Sequence, residues 1–264
     1  PIQVSYLGFF ASTGIKEIDY WLGDWSLFPN DYQGWHTETL WRLDRPFLAW
    51  QPVEPLPEAT ADVTSAPVGP IRFGSFNHNR KLSDQTLRLW GKILESVPDS
   101  TLVLKANASS DLATQQLLRR RMLRVGLNPE RITWIPLTHG HTEHLQQYQY
   151  VDIALDPLPN GGCTTTCESL WMGAPVITKA GSSYVSRMST AVLEGCGLQD
   201  WVAVDESSYL ELAVEQAANL QHLRANRNYW RKNIETSPLG NAEDLMNHLE
   251  QAFTAMVESK VSCS

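Results

Sequence analysis

From residue 71 onward, short apolar runs alternate with amphipathic stretches. IRFGSF (71–76), STLVLKA (100–106), RITWIP (131–136), VDIALD (151–156) and APVITKA (174–180) are runs of six or seven residues, the length of buried strands. Between the first two, Ser83 is followed by Leu87, Trp90, Ile93 and Leu94 at helical spacing, which predicts an N-capped helix through SDQTLRLWGKILESV. Pro98-Asp99 then turns the chain into the next strand. A second helix, from Leu112 to Val125, stops at Gly126. Further helices are predicted near HTEHLQQYQY, entering through CTTTCESLWMG, and near 183–195, 207–225 and 241–258. Strands without a polar face, alternating with helices, predict an α/β fold: a doubly wound, Rossmann-like parallel sheet covered on both sides.

Residues 1–51 follow a different pattern. IQVSYLG reads as a strand ending in a glycine turn, FASTG as a turn, and DYWLGDWSLFP as a short strand running into a loop. WRLDRPFLAWQP is a further extended piece, stopped by Pro52. Residues 52–70 hold five prolines in 19 positions with neither helical nor alternating periodicity, and read as an interdomain linker. The expected organisation is residues 1–51 as the end of one lobe, 52–70 as linker and 71–264 as a second lobe. The chain opens on PIQVSYLGFF without Met or a basic leader, so no signal peptide is expected. Residues 2–7 already look like a buried strand, and the chain is expected to be a piece of a longer protein.

The 264 residues suffice for one large or two modest α/β domains. A net charge of -8 argues against a broad nucleic-acid surface, while leaving room for a local basic pocket. No apolar run approaches the ~20 residues of a membrane span. Cys163, Cys167, Cys196 and Cys263 do not form a disulfide framework, and a cytoplasmic setting is the simpler expectation.

Three loops carry candidate chemistry, each at the C-terminal end of a predicted strand, the edge where open parallel sheets bind ligands. In NGGCTTTCESLWMGAPV (160–176), Gly161 and Gly162 precede three threonines that open a helix. Free N–H groups and the helix dipole there can hold a phosphate, with hydroxyl donors from Thr164 and Thr165. Glu168, one turn on, can accept hydrogen bonds from ribose hydroxyls. The alternative is an ordinary strand-to-helix turn with a threonine cap. In FGSFNHNRKLS (73–83), Lys81 can neutralise a departing pyrophosphate, or it is a solvated surface lysine. In HGHTEHL (139–145), His139, His141 and His144 suggest metal ligands, but the spacing is not HExxH and no matching carboxylate motif is near, so no metal is expected. An imidazole there can instead stack on a base. Cys163 and Cys167 overlap the phosphate turn and read as small pocket or core residues.

FGSFNHNRKLS, the EHL segment, NGGCTTTCESLWMGAPV and the late SPLGN, in that order, resemble the catalytic C-terminal lobe of the O-GlcNAc transferase family. QVSYLGFFASTG and DYWLGD resemble the end of its N-terminal lobe. The similarity is greatest to bacterial members and to plant SPINDLY-like O-fucosyltransferases. It implies a GT-B glycosyltransferase fold, with residues 1–51 as the remnant of the second lobe. It also implies an inverting transfer from a UDP-sugar, with UDP-GlcNAc the expected donor, to Ser/Thr hydroxyls of protein acceptors, without a cofactor. By the same resemblance Lys81 contacts the diphosphate, Thr164 and Thr165 bind phosphate oxygens, Glu168 holds the ribose, His144 packs on uracil, and Leu7 and Gly8 touch the donor sugar. His78 stands where animal enzymes carry Gln, Arg80 where they carry Tyr, Cys163 where they carry a His close to the sugar and diphosphate, and Glu168 where they carry Asp. GlcNAc and fucose therefore both stay open as the sugar, and no general base is assigned. The resemblance further implies an N-terminal lobe segment and tetratricopeptide repeats outside this chain. Two other readings are a GT-B enzyme acting on a lipid or small molecule, and an inactive nucleotide-binding or scaffolding module.

Overall fold

Asp24, at the end of one short strand, illustrates how the first part of the chain is fastened down. In the computed structural model, which describes residues 1–52, 69–105 and 107–262, this carboxylate is buried and accepts the backbone N–H of Leu27 and of Phe47, each at 2.8 Å. Burial pushes its pKa up to about 6 against the pull of those bonds. Most of the proline-rich segment, residues 53–68, lies outside the described residues.

Three parallel strands, β1 (Val4–Ser5), β2 (Tyr20–Asp24) and β3 (Thr39–Leu43), form one sheet in that order. The second sheet has six parallel strands: β4 (Arg72–Ser75), β5 (Thr101–Leu104), β6 (Ile132–Trp134), β7 (Ile153–Leu155), β8 (Val176–Lys179) and β9 (Val202–Ala203). Their spatial order is β6-β5-β4-β7-β8-β9, so the winding reverses between β4 and β7. This is the doubly wound arrangement that the strand–helix alternation predicts.

The helices are α1 (Asp84–Ser96), α2 (Leu112–Arg124), α3 (His141–Gln146), α4 (Thr164–Trp171), α5 (Met188–Gly195), α6 (Glu206–Ala218), α7 (Leu220–Ala225), α8 (Arg227–Glu235) and α9 (Ala242–Ser262). Ser83 caps α1 by accepting the Thr86 N–H at 3.0 Å, and Leu87, Trp90, Ile93 and Leu94 form the buried face. Three features depart from what the sequence pattern predicts. β9 spans only two residues, too few for a periodicity, and exists by pairing Thr178 with Val202. In α8 only Trp230 and Ile234 are buried, and Arg227 anchors it by donating to the carbonyls of Tyr148, Val151 and Met172. The helix expected over 207–225 divides into α6 and α7 at Asn219.

An aromatic cluster joins the two sheets. Trp21 stacks on Tyr184 with ring centres 4.8 Å apart, and Phe28 and Phe47 meet the same tyrosine at 5.4 and 6.2 Å. α9 returns to the first sheet, burying Leu245, Leu249, Ala252 and Met256 against Leu22 and Leu43. Its far end is tied by Lys260 to Asp19 at 2.7 Å. Among the described residues no helix is long and apolar enough to cross a membrane.

Arg45 locks the start of α9. It is 6% exposed and donates to the carbonyls of Pro238 (2.6 Å) and Asn241 (3.0 Å) and to the Asp244 carboxylate (2.8 Å). Arg45→Met keeps the aliphatic bulk and strands these acceptors. The expected loss is about 3 kcal/mol of unfolding free energy, seen as a lower urea midpoint at unchanged slope. A midpoint equal to the parent's would show that the guanidinium contributes nothing to this junction.

Candidate functional site

The reversal between β4 and β7 opens a crevice at the C-terminal ends of these two strands, the place where doubly wound sheets bind ligands. β7 runs into Asp156, which is 1% exposed. Its carboxylate accepts the Gly162 N–H and the Thr178 hydroxyl, both at 2.7 Å, and the Ser189 hydroxyl beside it donates to the Gly162 carbonyl at 3.0 Å. Burial pushes the Asp156 pKa up, and the hydrogen bonds and the nearby Lys81 charge pull the other way. The turn closes so tightly on this carboxylate that side chains are excluded. A Cβ on Gly161 would sit 2.4 Å from Asp156 Oδ2, and one on Gly162 2.5 Å from Thr165 Oγ1.

That turn delivers the chain into α4. Cys163 occupies the N-cap and gives no side-chain cap, so the first N–H groups of the helix have no hydroxyl or carboxylate from the cap residue. Burial pushes the Cys163 thiol up to about 12, which keeps it protonated. Thr164 is exposed at the first helical position. Thr165 donates to Asn77 Oδ1 at 3.2 Å. Glu168, one turn further, is buried with Oε2 3.3 Å from His144 Nε2.

From β4 the chain enters Phe76 and Asn77, then a single 3-10 turn, Asn79–Lys81. His78 caps this turn, its Nδ1 accepting the Arg80 N–H at 3.1 Å. Lys81 Nζ then donates across the crevice to the Gly161 carbonyl at 2.6 Å and to Asn77 Oδ1 at 3.2 Å. α3 brings His144 edge-on to Phe76, ring centres 5.8 Å apart, and Tyr148 OH donates to the Thr165 carbonyl at 3.2 Å.

Lys81, His144, Gly161, Gly162, Thr165 and Glu168 thus belong to one connected group, with Cys163 and Thr164 on the same turn. Leu7 and Gly8 are exposed in the loop after β1, with φ of 30° and 141°. Among the described residues no hydrogen bond joins them to the group. His139 and His141 are exposed, and among the described residues no three His, Cys, Asp or Glu side chains are grouped to hold a metal ion.

The structure adds residues that the sequence reading left unassigned: Phe76, Asn77, Lys105, Tyr148 and Asp156. Lys105 carried a readable signal, a charged residue near the end of the otherwise apolar STLVLKA. It is 2% exposed, donates to Thr138 Oγ1 at 3.0 Å and stands 5.7 Å over the Phe76 ring. Burial lowers its pKa to about 8, against the opposing pull of Glu168 and Glu143.

The sequence profile described as glycosyl transferase family 41 matches residues 56–249. A rice (Oryza sativa subsp. japonica) protein named "Probable UDP-N-acetylglucosamine--peptide N-acetylglucosaminyltransferase SPINDLY" is 38% identical over 97% of this chain, which spans 28% of that protein's length. Among solved structures, an O-GlcNAc transferase mutant of Thermobaculum terrenum superposes with a TM-score of 0.85 at 33% identity, over 97% of this chain and 48% of that one. Sucrose-phosphate synthase of Thermosynechococcus elongatus superposes at 0.60 with 14% identity, over 92% of this chain and 60% of that one, which is a likeness of fold alone.

Lys105 makes stability depend on alkaline pH. The unfolded chain holds this proton to the ordinary value near 10.5, the folded chain only to about 8. Between those values the unfolded state binds more protons, so the folded state gains stability as pH rises. Lys105→Met is therefore expected to be more stable than the parent at pH 7, with the gap narrowing between pH 8 and pH 10 in urea titrations. A gap that does not change with pH would contradict a buried, charged Lys105.

Proposed function

The chain belongs to glycosyl transferase family 41, and on that premise we propose that it carries the donor-binding part of an inverting transferase that moves GlcNAc from a UDP-sugar to serine and threonine hydroxyls of proteins. Its fold is of the GT-B type. The observation that carries the proposal is the Lys81 bridge: one ammonium spans the reversal between β4 and β7 and touches the glycine turn that opens α4. The names of the rice and Thermobaculum relatives support the choice of sugar and acceptor.

In this reading the diphosphate rests on the N–H groups of the Gly161–Gly162 turn and the start of α4, with hydroxyl donors from Thr164 and Thr165. Cys163 lies beside it as a neutral thiol. Glu168 accepts from the ribose hydroxyls, and His144 offers its ring to the uracil. His78 supports the turn that presents Lys81, and Leu7 and Gly8 approach the sugar from the first sheet. The sugar–phosphate bond breaks as an acceptor hydroxyl attacks the anomeric carbon from the opposite face, which inverts it. Negative charge grows on the departing diphosphate, so a fixed ammonium is worth more in the transition state than in the bound donor. The general base is not assigned to a residue of this chain. The rest of the longer protein is proposed to complete the first lobe and, through tetratricopeptide repeats, to select acceptors. A cytoplasmic setting fits the free thiols of Cys163, Cys167 and Cys196.

Lys81→Ala in the full-length protein is the direct test. Transfer from UDP-GlcNAc to a protein acceptor is expected to fall by about 100- to 1,000-fold, the equivalent of roughly 2.7–4 kcal/mol of transition-state stabilisation. The unfolding midpoint should stay near the parent's. Unchanged transfer would remove Lys81 from the reaction and with it this assignment of the site.

A further inference from the structure

We propose that Lys105 reads the nucleobase of the donor, its ammonium donating to an oxo oxygen on the base edge that faces away from the ribose. The inference rests on the nucleotide-sugar reading given above and adds a specificity determinant to it. The order of groups along the crevice points there. The glycine turn and the start of α4 lie at the end of β7, and Glu168 lies one turn into that helix. Next across the sheet come the β4 end with Phe76, then the β5 end with Lys105, then Thr138 beyond β6. A nucleotide laid out from phosphate to base along this edge passes the turn, then Glu168, then the ring surfaces of His144 and Phe76, and brings its base edge toward β5.

Lys105 has the properties such a reader needs. It is almost fully buried, yet among the described residues its only hydrogen-bond acceptor is the Thr138 hydroxyl. Two of its three N–H groups are thus left without a partner there. A desolvated ammonium in that condition is costly, and a ligand acceptor relieves the cost. The nearest aromatic face, Phe76, holds the cation at 5.7 Å and is itself in contact with His144. An ammonium is a donor only, so it favours an oxo group and disfavours an amino group at the same position. Uracil and guanine present oxo oxygens on that edge, and cytosine and adenine present amino groups.

Calorimetric titration of the full-length protein with UDP, CDP, GDP and ADP tests this. The parent is expected to bind UDP about tenfold or more tightly than CDP, and GDP more tightly than ADP. Lys105→Met is expected to weaken UDP roughly 10- to 100-fold and to bring UDP and CDP level. The ratio of UDP to CDP within one variant does not depend on the fraction folded. It also separates base reading from a general attraction to the diphosphate, which would weaken all four ligands alike. Lys105→Gln provides a second variant, because its amide can turn either a donor or an acceptor to the base and should likewise erase the ratio. A ratio preserved in both variants would overturn the role of Lys105 while leaving the nucleotide-sugar reading intact. Absence of binding by the parent to all four nucleotides would overturn that reading and this inference together.

Discussion

One buried carboxylate organises the crevice. Asp156 is out of reach of water, and its hydrogen-bond donors come from two separate places, the glycine turn and β8, while Ser189 of α5 donates to the Gly162 carbonyl of the same turn. Fixing those donors fixes the path from β7 into α4. The same path sets where the Gly161 carbonyl meets Lys81 and where Glu168 meets His144. A chain that had to accommodate side chains at Gly161 or Gly162 would have to open the turn, because the clashing atoms are the Asp156 carboxylate and the hydroxyls of Thr165 and Thr166. The anion-receptive end of the helix is therefore a consequence of packing behind it, and its electrostatics follow from that backbone geometry.

The first sheet matters to this arrangement through aromatic contact. Tyr184 lies between β8 and α5 in sequence and meets Trp21, Phe28 and Phe47 from the other side. Arg187, one turn later, donates to the carbonyls of Ser26 and Gly181. These contacts bring the C-terminal end of β2 close enough for the Asp24 charge to act on the Cys163 thiol. α9 and Arg45 close the unit from the opposite direction by holding β2 and β3 against the end of the chain. Crevice and first sheet thus share a packed boundary.

Much of the fold was legible because strands buried on both faces leave uninterrupted apolar runs, as in VDIALD and STLVLKA, and because α1 announces itself through Ser83 and a regular apolar face. β9 and α8 were not legible, for different reasons. β9 is defined by a partner strand 24 positions earlier, Thr178 with Val202, and α8 offers only two buried apolar residues, Trp230 and Ile234, beside an Arg227 that reaches three distant carbonyls. The glycine–threonine turn, Lys81 and Glu168 could be picked out as local patterns. Asp156, Asn77 and Tyr148 could not, since each is a single residue whose part comes from what the fold places opposite it. Lys105 falls between these cases, visible as an anomaly in a strand and interpretable only once its burial is known.

In the proposed function, the turn built on Asp156 seats the second phosphate of the donor. The ratio of affinities for UDP and UMP, read by calorimetry in the parent and in Gly162→Ala, decides whether it does. With the turn intact, the second phosphate gains the helix N–H groups and Lys81, and UDP should bind about tenfold or more tightly than UMP. Gly162→Ala forces a Cβ to within 2.5 Å of Thr165 Oγ1 and displaces the turn, so the two affinities are expected to become equal. A folded Gly162→Ala protein that still prefers UDP over UMP by the parent's ratio would contradict it.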